Sequence, residues 1–106
     1  MARVMLITGG SRGIGAATAR MAAARGYDVA INYLGNAQAA ESVAKDVQAT
    51  GRKCLVVQGD MSKPEEIARV FTTVDGGLGR IDAFFNNAGI FAPAVPFLDI
   101  TVERLQ

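Results

Sequence analysis

Short apolar runs alternate with longer segments of helical periodicity along the chain. The four runs span residues 4–8, 29–33, 54–57 and 81–85. They lack a strict apolar–polar alternation, which is typical of strands buried on both faces of a parallel sheet. The segments between them span residues 14–25, 36–50 and 64–75, and each predicts a helix. The order β-α-β-α-β-α-β predicts an α/β fold in which right-handed crossovers join parallel strands.

Apolar spacing and glycines define the first two predicted helices. The inner face of the first is expected to consist of Ile14, Ala17, Met21 and Ala22. The apolar stripe of the second consists of Ala40, Val43, Ala44 and Val47. Gly26 and Gly51 are expected to end the two helices, and Asn36 stands where the second one opens.

The third predicted helix has a start motif made by Ser62, Pro64 and Glu65. The Ser62 side chain can accept from the Glu65 amide while the Glu65 side chain reaches back to the Ser62 amide, and Pro64 fits the first turn. The glycine pair at 76–77 is expected to close this helix. Beyond the fourth strand, residues 93–104 predict a proline-containing loop and then the start of another helix.

Composition narrows the function classes. A chain of 106 residues has the size of one domain, and its net charge of +1 gives no footprint for nucleic acid or an anionic membrane. There is no His, and the single Cys54 excludes a disulfide framework and a Cys-cluster zinc site, so no metal site is expected. No apolar run approaches the roughly 18 residues of a membrane span, and the first residues lack the features of a signal peptide. We therefore expect a reduced, cytoplasmic protein.

A glycine-rich turn follows the first strand. Gly9, Gly13 and Gly15 have the spacing G-x-x-x-G-x-G and stand directly before the first helix. A turn of this kind presents unpaired amides and the positive end of a helix dipole to an anion, and glycines let a pyrophosphate approach. The spacing is neither that of a P-loop nor that of G-x-G-x-x-G. The alternative is a glycine-rich turn with no ligand.

Two further polar segments follow strands 3 and 4. Asn86-Asn87-Ala88-Gly89 comes after strand 4, and Gly59-Asp60-Met61-Ser62 after strand 3. Ligands of open parallel sheets bind at the carboxyl ends of the strands, so both segments are candidates for the same site. The alternatives are an Asn-rich turn for the first and, for Asp60, a role in capping the next helix.

Together, these three segments resemble the short-chain dehydrogenase/reductase family. Its nucleotide-binding motif is matched by Thr8-Gly9-Gly10-Ser11-Arg12-Gly13-Ile14-Gly15, its adenine-contacting acid by Asp60, and its strand-4 motif by Asn86-Asn87-Ala88-Gly89. The resemblance covers essentially all of the chain and is nearest to the branch of β-ketoacyl-carrier-protein reductases and sugar or steroid dehydrogenases. It implies a Rossmann-type doubly wound parallel sheet with strand order 3-2-1-4, of which residues 1–106 form an NAD(P)-binding part.

The resemblance also implies a set of cofactor-binding residues. Those expected at the pyrophosphate and adenosine ribose are Gly9, Gly10, Ser11, Arg12, Gly13, Ile14 and Gly15. Those expected at adenine, or against the ribose and the centre of the cofactor, are Asp60, Met61, Asn87, Ala88 and Gly89. At the end of strand 2, Asn32 and Tyr33 occupy the place where an acid would select NAD(H). Because that acid is missing and Arg12 can pair with a 2′-phosphate, NADP(H) is preferred and NAD(H) is the other candidate; alternatively, Arg12 is a solvated loop cation.

The chemistry of this family uses a Tyr-x-x-x-Lys pair, a Ser and an Asn. The chain has only Tyr27 and Tyr33, and neither is followed four residues later by Lys. No catalytic residue is therefore predicted, and the catalytic portion is expected to be absent. The first hypothesis is the cofactor-binding half of an NADP(H)-dependent oxidoreductase that acts on a carbonyl or alcohol in a full-length parent and is inactive alone. The alternatives are a non-catalytic module that binds a nucleotide or a partner, and a marginally folded truncated product. The family resemblance also implies association into a homo-oligomer as an open alternative to a monomer.

Overall fold

A computed structural model describes residues 2–11 and 13–87 and places seven elements along them. They are β1 (Val4–Thr8), α1 (Gly13–Ala24), β2 (Asp28–Tyr33), α2 (Ala37–Ala49), β3 (Cys54–Gln58), α3 (Pro64–Leu78) and β4 (Ala83–Asn86). The predicted order of strands and helices is confirmed. The loop and helix predicted within residues 93–104 lie outside the described residues.

The four strands form one parallel sheet with the order β3-β2-β1-β4. The strand order implied by the family resemblance is therefore confirmed. Thr8, the last residue of β1, lies opposite Asn32 on one side and Asn86 on the other. The carboxyl ends of the three strands thus meet at one edge of the sheet, and the loops that follow them start from a common line.

Two apolar clusters lie on the two faces of the sheet. Leu6 of β1 points to one face, where the core includes Val70 and Val74 of α3. Ile7 points to the other, where the core includes Ala19 of α1 and Val43 of α2. Because successive strand residues point to opposite faces, a strand covered by helices on both sides needs a continuous apolar run. This arrangement explains the sequence of β1.

The buried face of α1 differs from the predicted one. Ile14 and Met21 are 69% and 55% exposed, and Ala17 is exposed as well, so their predicted place on the inner face is wrong. The buried residues are all small: Gly15, Ala16, Ala19, Ala22 and Ala23. A stripe of Gly and Ala lets the helix backbone approach the sheet closely, and larger side chains at the same spacing are turned outward. Of the four residues predicted, only Ala22 is buried.

The start of α3 also differs from the prediction. Lys63 is the N-cap and makes no side-chain cap bond, so the predicted Ser62–Glu65 capping box is wrong. The Ser62 hydroxyl instead donates to Asp60 Oδ1 at 2.6 Å, since that carboxylate lies two residues earlier in the same turn. Pro64 occupies the first turn of the helix as predicted.

The end of α3 lies beyond the predicted glycine pair. The helix continues through Gly76 and Gly77 to Leu78, and Gly79, at φ +99°, follows as its C-cap. A Cβ built on Gly77 would lie 2.9 Å from Leu55 Cδ2 of β3, so this glycine allows close packing on the sheet and does not break the helix.

The second helix matches its prediction. All four residues of its apolar stripe are buried, and Asn36 is the N-cap, its side chain accepting from the Ala39 amide at 2.9 Å. Gly51 has a positive φ of +89°, a conformation that favours glycine after a helix. None of the described helices is long and apolar enough to cross a bilayer.

Candidate functional site

The glycine loop joins β1 to α1 and is folded tightly on itself. Gly9 and Gly13 have φ values of +64° and +62°, which side-chain-bearing residues rarely adopt. A Cβ on Gly15 would lie 2.3 Å from the carbonyl oxygen of Gly9, so the first turn of α1 presses directly on the start of the loop. The Gly10 amide donates to the Asn32 carbonyl at 3.1 Å, which ties the loop to β2. These contacts fix the loop in front of the N-terminus of α1.

The end of β4 is bonded to the same loop. Asn87 Nδ2 donates to the Gly9 carbonyl at 3.1 Å. One residue earlier on each strand, Thr8 Oγ1 donates to Asn86 Oδ1 at 3.0 Å. The Asn pair identified in the sequence therefore joins the carboxyl ends of β1 and β4, and this is the point where the strand order switches direction.

A cavity of about 630 Å³ opens at this edge of the sheet. The described residues that line it are Gly9, Ser11, Gly13, Ile14, Tyr33, Leu34, Gly35, Asn36 and Asn87. They come from the glycine loop, the ends of β2 and β4, and the first residues of two helices. Because the first four amides of a helix have no intrahelical acceptor, both helix starts favour an anion. None of these described lining residues is acidic.

Six of the sequence-predicted residues line the cavity: Gly9, Ser11, Gly13, Ile14, Tyr33 and Asn87. Three others lie outside its lining, at Gly10, Gly15 and Asn32. Asn32 is only 2% exposed, and its Nδ2 donates to the carbonyls of Val57 and Gly59 at 3.3 and 3.2 Å. Its side chain therefore joins β2 to the end of β3, beneath the cavity. Arg12, Ala88 and Gly89 lie outside the described residues.

Asp60 and Met61 lie on the turn after β3 and do not line the cavity. Asp60 Oδ1 accepts from both the hydroxyl and the amide of Ser62, and these bonds lower the pKa of the carboxyl. Asp60 therefore organises the turn that precedes α3, and its side chain makes no bond to the first amides of that helix. Met61 is 2% exposed and packs in the same apolar cluster as Val70.

Sequence reasoning missed the wall made by Leu34, Gly35 and Asn36 between β2 and α2. Leu34 is 62% exposed, which leaves an apolar surface beside the polar loop. The available signal was position, because this loop follows the carboxyl end of a strand beside β1.

The remaining candidate chemistry is limited. The described residues contain no group of three or more His, Cys, Asp or Glu side chains that could hold a metal ion. Cys54 is partly buried in β3, and burial raises the pKa of its thiol to about 12, which keeps it protonated at neutral pH. The cavity, lined by the starts of two helices and by the exposed side chains of Ile14 and Leu34, can accommodate a ligand that has an anionic part and an apolar part.

Comparison with known proteins identifies relatives of this chain. A family model described as short chain dehydrogenase matches residues 3–106. The oxidoreductase YgfF of Escherichia coli (strain K12), named as uncharacterized, is 40% identical over 103 residues, which are 97% of this chain and 42% of YgfF. The 3-oxoacyl-(acyl-carrier-protein) reductase FabG of Staphylococcus epidermidis is 38% identical over 90 residues, which are 85% of this chain and 37% of FabG. The chain spans about two-fifths of the length of these curated relatives.

Solved structures agree with the sequence relatives. A blue fluorescent protein from a metagenomic library, solved in complex with NADPH, superposes with a TM-score of 0.74 at 33% identity, covering 77% of this chain and 34% of its own. A double variant of a short-chain dehydrogenase/reductase from Serratia marcescens superposes with a TM-score of 0.79 at 32% identity, covering 94% of this chain and 43% of its own.

Proposed function

Because the chain belongs to the short-chain dehydrogenase family, whose members are NAD(P)-dependent oxidoreductases, we propose that residues 1–106 form the cofactor-binding part of an NADP(H)-dependent enzyme. The bound nicotinamide would supply a hydride to a carbonyl or accept one from an alcohol. This chain's own residues would bind and orient the cofactor. The rest of the enzyme would supply the acid–base groups and the substrate pocket.

The observation that carries the proposal is the cavity in front of the glycine loop. Gly13 has open space where a Cβ would stand, so a phosphate can approach the backbone there. The same cavity is lined by the start of α1 and extends from Asn87 to the wall formed by Leu34, Gly35 and Asn36, called the Leu34 wall below. A dinucleotide needs an anion-binding centre for its pyrophosphate and space on either side for its nucleosides.

The preference for NADP(H) rests on charge. An acid at the end of β2 would bind the ribose 2′-hydroxyl and repel a 2′-phosphate. Here Tyr33 is followed by the wall of Leu34, Gly35 and Asn36, and none of these residues is acidic. Arg12 stands in the glycine loop of the sequence and is proposed to pair with the 2′-phosphate.

The chain alone is proposed to have no dehydrogenase activity. Neither Tyr27 nor Tyr33 is followed by Lys four residues later, and there is no His to replace the acid–base pair.

Asp60 and Met61 are proposed to contact adenine through the turn after β3. Asn87, Ala88 and Gly89 are proposed to lie against the ribose and the centre of the cofactor.

Titration of the 106-residue chain with NADPH and NADH, followed by nicotinamide fluorescence, tests this proposal. We expect NADPH to bind more tightly than NADH. Arg12→Gln should weaken NADPH about tenfold or more and leave NADH almost unchanged, since a charge-assisted bond to phosphate is lost.

Arg80→Gln is the matched control, because Arg80 is exposed and precedes β4 at the opposite edge of the sheet. It should change neither affinity. Absence of NADPH binding at millimolar concentration would defeat the proposal for this chain, and equal losses in both variants would remove the assigned role of Arg12.

A further inference from the structure

Two side chains of α3 hold the turn that follows β3. Glu66 and Arg69 form a two-point pair, with Arg69 Nη2 2.9 Å from Glu66 Oε1 and Arg69 Nε 3.4 Å from Glu66 Oε2. Each partner also bonds to backbone. Arg69 Nη2 donates to the Gln58 carbonyl at 2.6 Å, and Glu66 Oε1 accepts from the Asp60 amide at 3.4 Å. The pair thus holds the turn at its first residue, Gln58, and at its last, Asp60.

The same turn is bonded to the wall of the cavity. Gln58 Nε2 donates to the Leu34 carbonyl at 3.1 Å. The Gly59 amide donates to the Tyr33 carbonyl at 3.0 Å. Because Tyr33 and Leu34 line the cavity, a displacement of the Gln58 backbone would be passed to that wall through a single residue.

Packing leaves the turn little room to move. A Cβ on Gly59 would lie 2.7 Å from Val70 Cγ2 and 3.2 Å from Arg69 Nη2. From the other side, Asn32 Nδ2 donates to the carbonyls of Val57 and Gly59. The turn is therefore enclosed between β2 and α3, and its position depends on the side chains that fix it there.

The ion pair between Glu66 and Arg69 contributes little by itself to the stability of the fold. The side chains of Arg69 and Glu66 are 47% and 31% exposed, and ion pairs with such exposure stabilise a fold only slightly. The side-chain bond from Arg69 lowers the pKa of the Glu66 carboxyl. What distinguishes this pair from the Arg20–Asp46 pair is that both of its partners also bond to the backbone of one turn.

We propose that Glu66 and Arg69 are positioning residues that set the adenosine end of the cofactor site through the turn at 58–60 and the Leu34 wall. The inference rests on the proposed function, because the end of β2 is where sheets of this type hold the adenosine ribose. Neither residue touches the cavity, so the pair acts only through Gln58 and Asp60. The pair makes no bond to the glycine loop or to Asn87, where the pyrophosphate and the centre of the cofactor are proposed to lie.

The test compares ligands that occupy only one end of the site. Adenosine 2′,5′-bisphosphate probes the adenosine end, and reduced nicotinamide mononucleotide, whose phosphate is expected at the glycine loop, probes the rest of the cavity. In the 106-residue chain, Arg69→Gln should weaken binding of the bisphosphate and NADPH roughly three- to tenfold, the scale of one ordinary hydrogen bond, because the pair acts only through the turn. Binding of the mononucleotide should stay unchanged. Arg69→Lys, which keeps the charge but loses the two-point geometry, should fall between wild type and Arg69→Gln.

Arg20→Gln is the matched control. Arg20 Nε lies 2.7 Å from Asp46 Oδ2 on the outside of α1 and α2, with a side chain 48% exposed, and it makes no bond to the turn after β3. Its loss should leave all three affinities unchanged. An equal loss for both end ligands in Arg69→Gln would mean a general structural role and would overturn the inference.

Amide hydrogen exchange without any ligand separates the two proposals. Arg69→Gln should speed exchange at Gly59 and Asp60, and Arg20→Gln should not. If the wild-type chain binds neither NADPH nor the bisphosphate, the proposed function fails. If the wild type binds them and Arg69→Gln binds them equally well, the positioning role alone is refuted.

Discussion

Helices α1 and α3 lie on opposite faces of the sheet and meet it in different ways. The buried face of α1 consists of Gly15 and four alanines, whereas α3 buries Ile67, Val70 and Val74. Burial of a large aliphatic side chain contributes about 1.5–3 kcal/mol, and burial of an alanine much less. In return, α1 brings its backbone against the glycine loop. Helix α3 therefore contributes more to stability, and α1 contributes the geometry of the site.

Gly15→Ala would disrupt the close contact between α1 and the glycine loop, and it has the largest expected effect of these substitutions. The new Cβ would meet the Gly9 carbonyl oxygen at 2.3 Å and Gly10 Cα at 3.0 Å, and backbone atoms cannot rotate away as a side chain can. We expect the free energy of unfolding to fall by about 3 kcal/mol, near the upper end for overpacked sites, and NADPH binding to be lost. Urea denaturation and the fluorescence titration measure the two effects.

Gly35→Ala is the control for that change. Gly35 lines the same cavity, its φ is not positive, and a Cβ there would have nothing within 4 Å. The free energy of unfolding should stay within about 0.5 kcal/mol of wild type. If the two alanine variants lost stability equally, close contact at Gly15 would not be the cause.

Val70→Ala probes the α3 side. Val70 is completely buried between α3 and the sheet, so truncation leaves a small cavity and should lower the free energy of unfolding by about 2 kcal/mol. Thr72→Ala, at an exposed position two residues along the same helix, should change it by less than about 0.5 kcal/mol. Similar urea midpoints for these two variants would contradict the role assigned to the α3 face.

Gly76→Ala makes the same glycine-to-alanine change in α3, where it should raise the free energy of unfolding instead of lowering it. Gly76 lies inside α3, and a Cβ there would have nothing within 4 Å, so alanine gains helix propensity without a clash. The free energy of unfolding should rise by about 0.5–1 kcal/mol. At Gly77 the same gain is offset, because a Cβ would press on Leu55 Cδ2 at 2.9 Å. A thermal melt that ranked Gly77→Ala above Gly76→Ala would disagree with this packing.

Lowering the pH should weaken the turn that precedes α3 while the glycine loop before α1 is unaffected. This is the smallest effect among these predictions. Bonds from Ser62 lower the pKa of Asp60, so the stability that this carboxylate adds is present above its unfolded pKa of about 3.9 and is lost as the pH falls through its folded pKa. The Ser62 amide should therefore titrate in NMR with a midpoint below that value, while the Gly10 amide does not shift in the same range. In Asp60→Asn the Ser62 transition should vanish; its persistence would assign the transition to another group.

The fold was largely predictable because each strand is a continuous apolar run. Parallel strands covered on both faces require such runs, and β1 meets that condition with only Thr8 as a polar member, at its end. The face of α1 was not predictable in the same way. Helical spacing identifies apolar residues but not how closely the helix approaches, so Ile14 and Met21 were placed inward although the close contact at Gly15 admits only small residues.

The site was predictable in its centre and less so at its rim. Glycines at 9 and 13 mark the loop because their positive φ values require this residue. At the end of β2, neighbours point to opposite faces, so of Asn32 and Tyr33 only one could line the cavity. Selecting Tyr33 requires the register of β2 against its neighbours, which the sequence alone does not contain. The Leu34 wall depends in addition on the bond from Gln58, 24 residues away.

One row of the sheet, formed by Asn32, Thr8 and Asn86 side by side, also bears on how the strands find their alignment. Thr8 and Asn32 are the two fully buried polar residues of the described core, and both have their hydrogen bonds made in this alignment. If β1 slipped by one position against β4, Thr8 would lose Asn86 and its hydroxyl would be buried among apolar side chains. If β2 slipped by one position against β3, Asn32 would lose the carbonyls of Val57 and Gly59. Each such error would leave polar groups unsatisfied at about 1–3 kcal/mol apiece. The row therefore discriminates against misaligned sheets during folding, before any ligand is present.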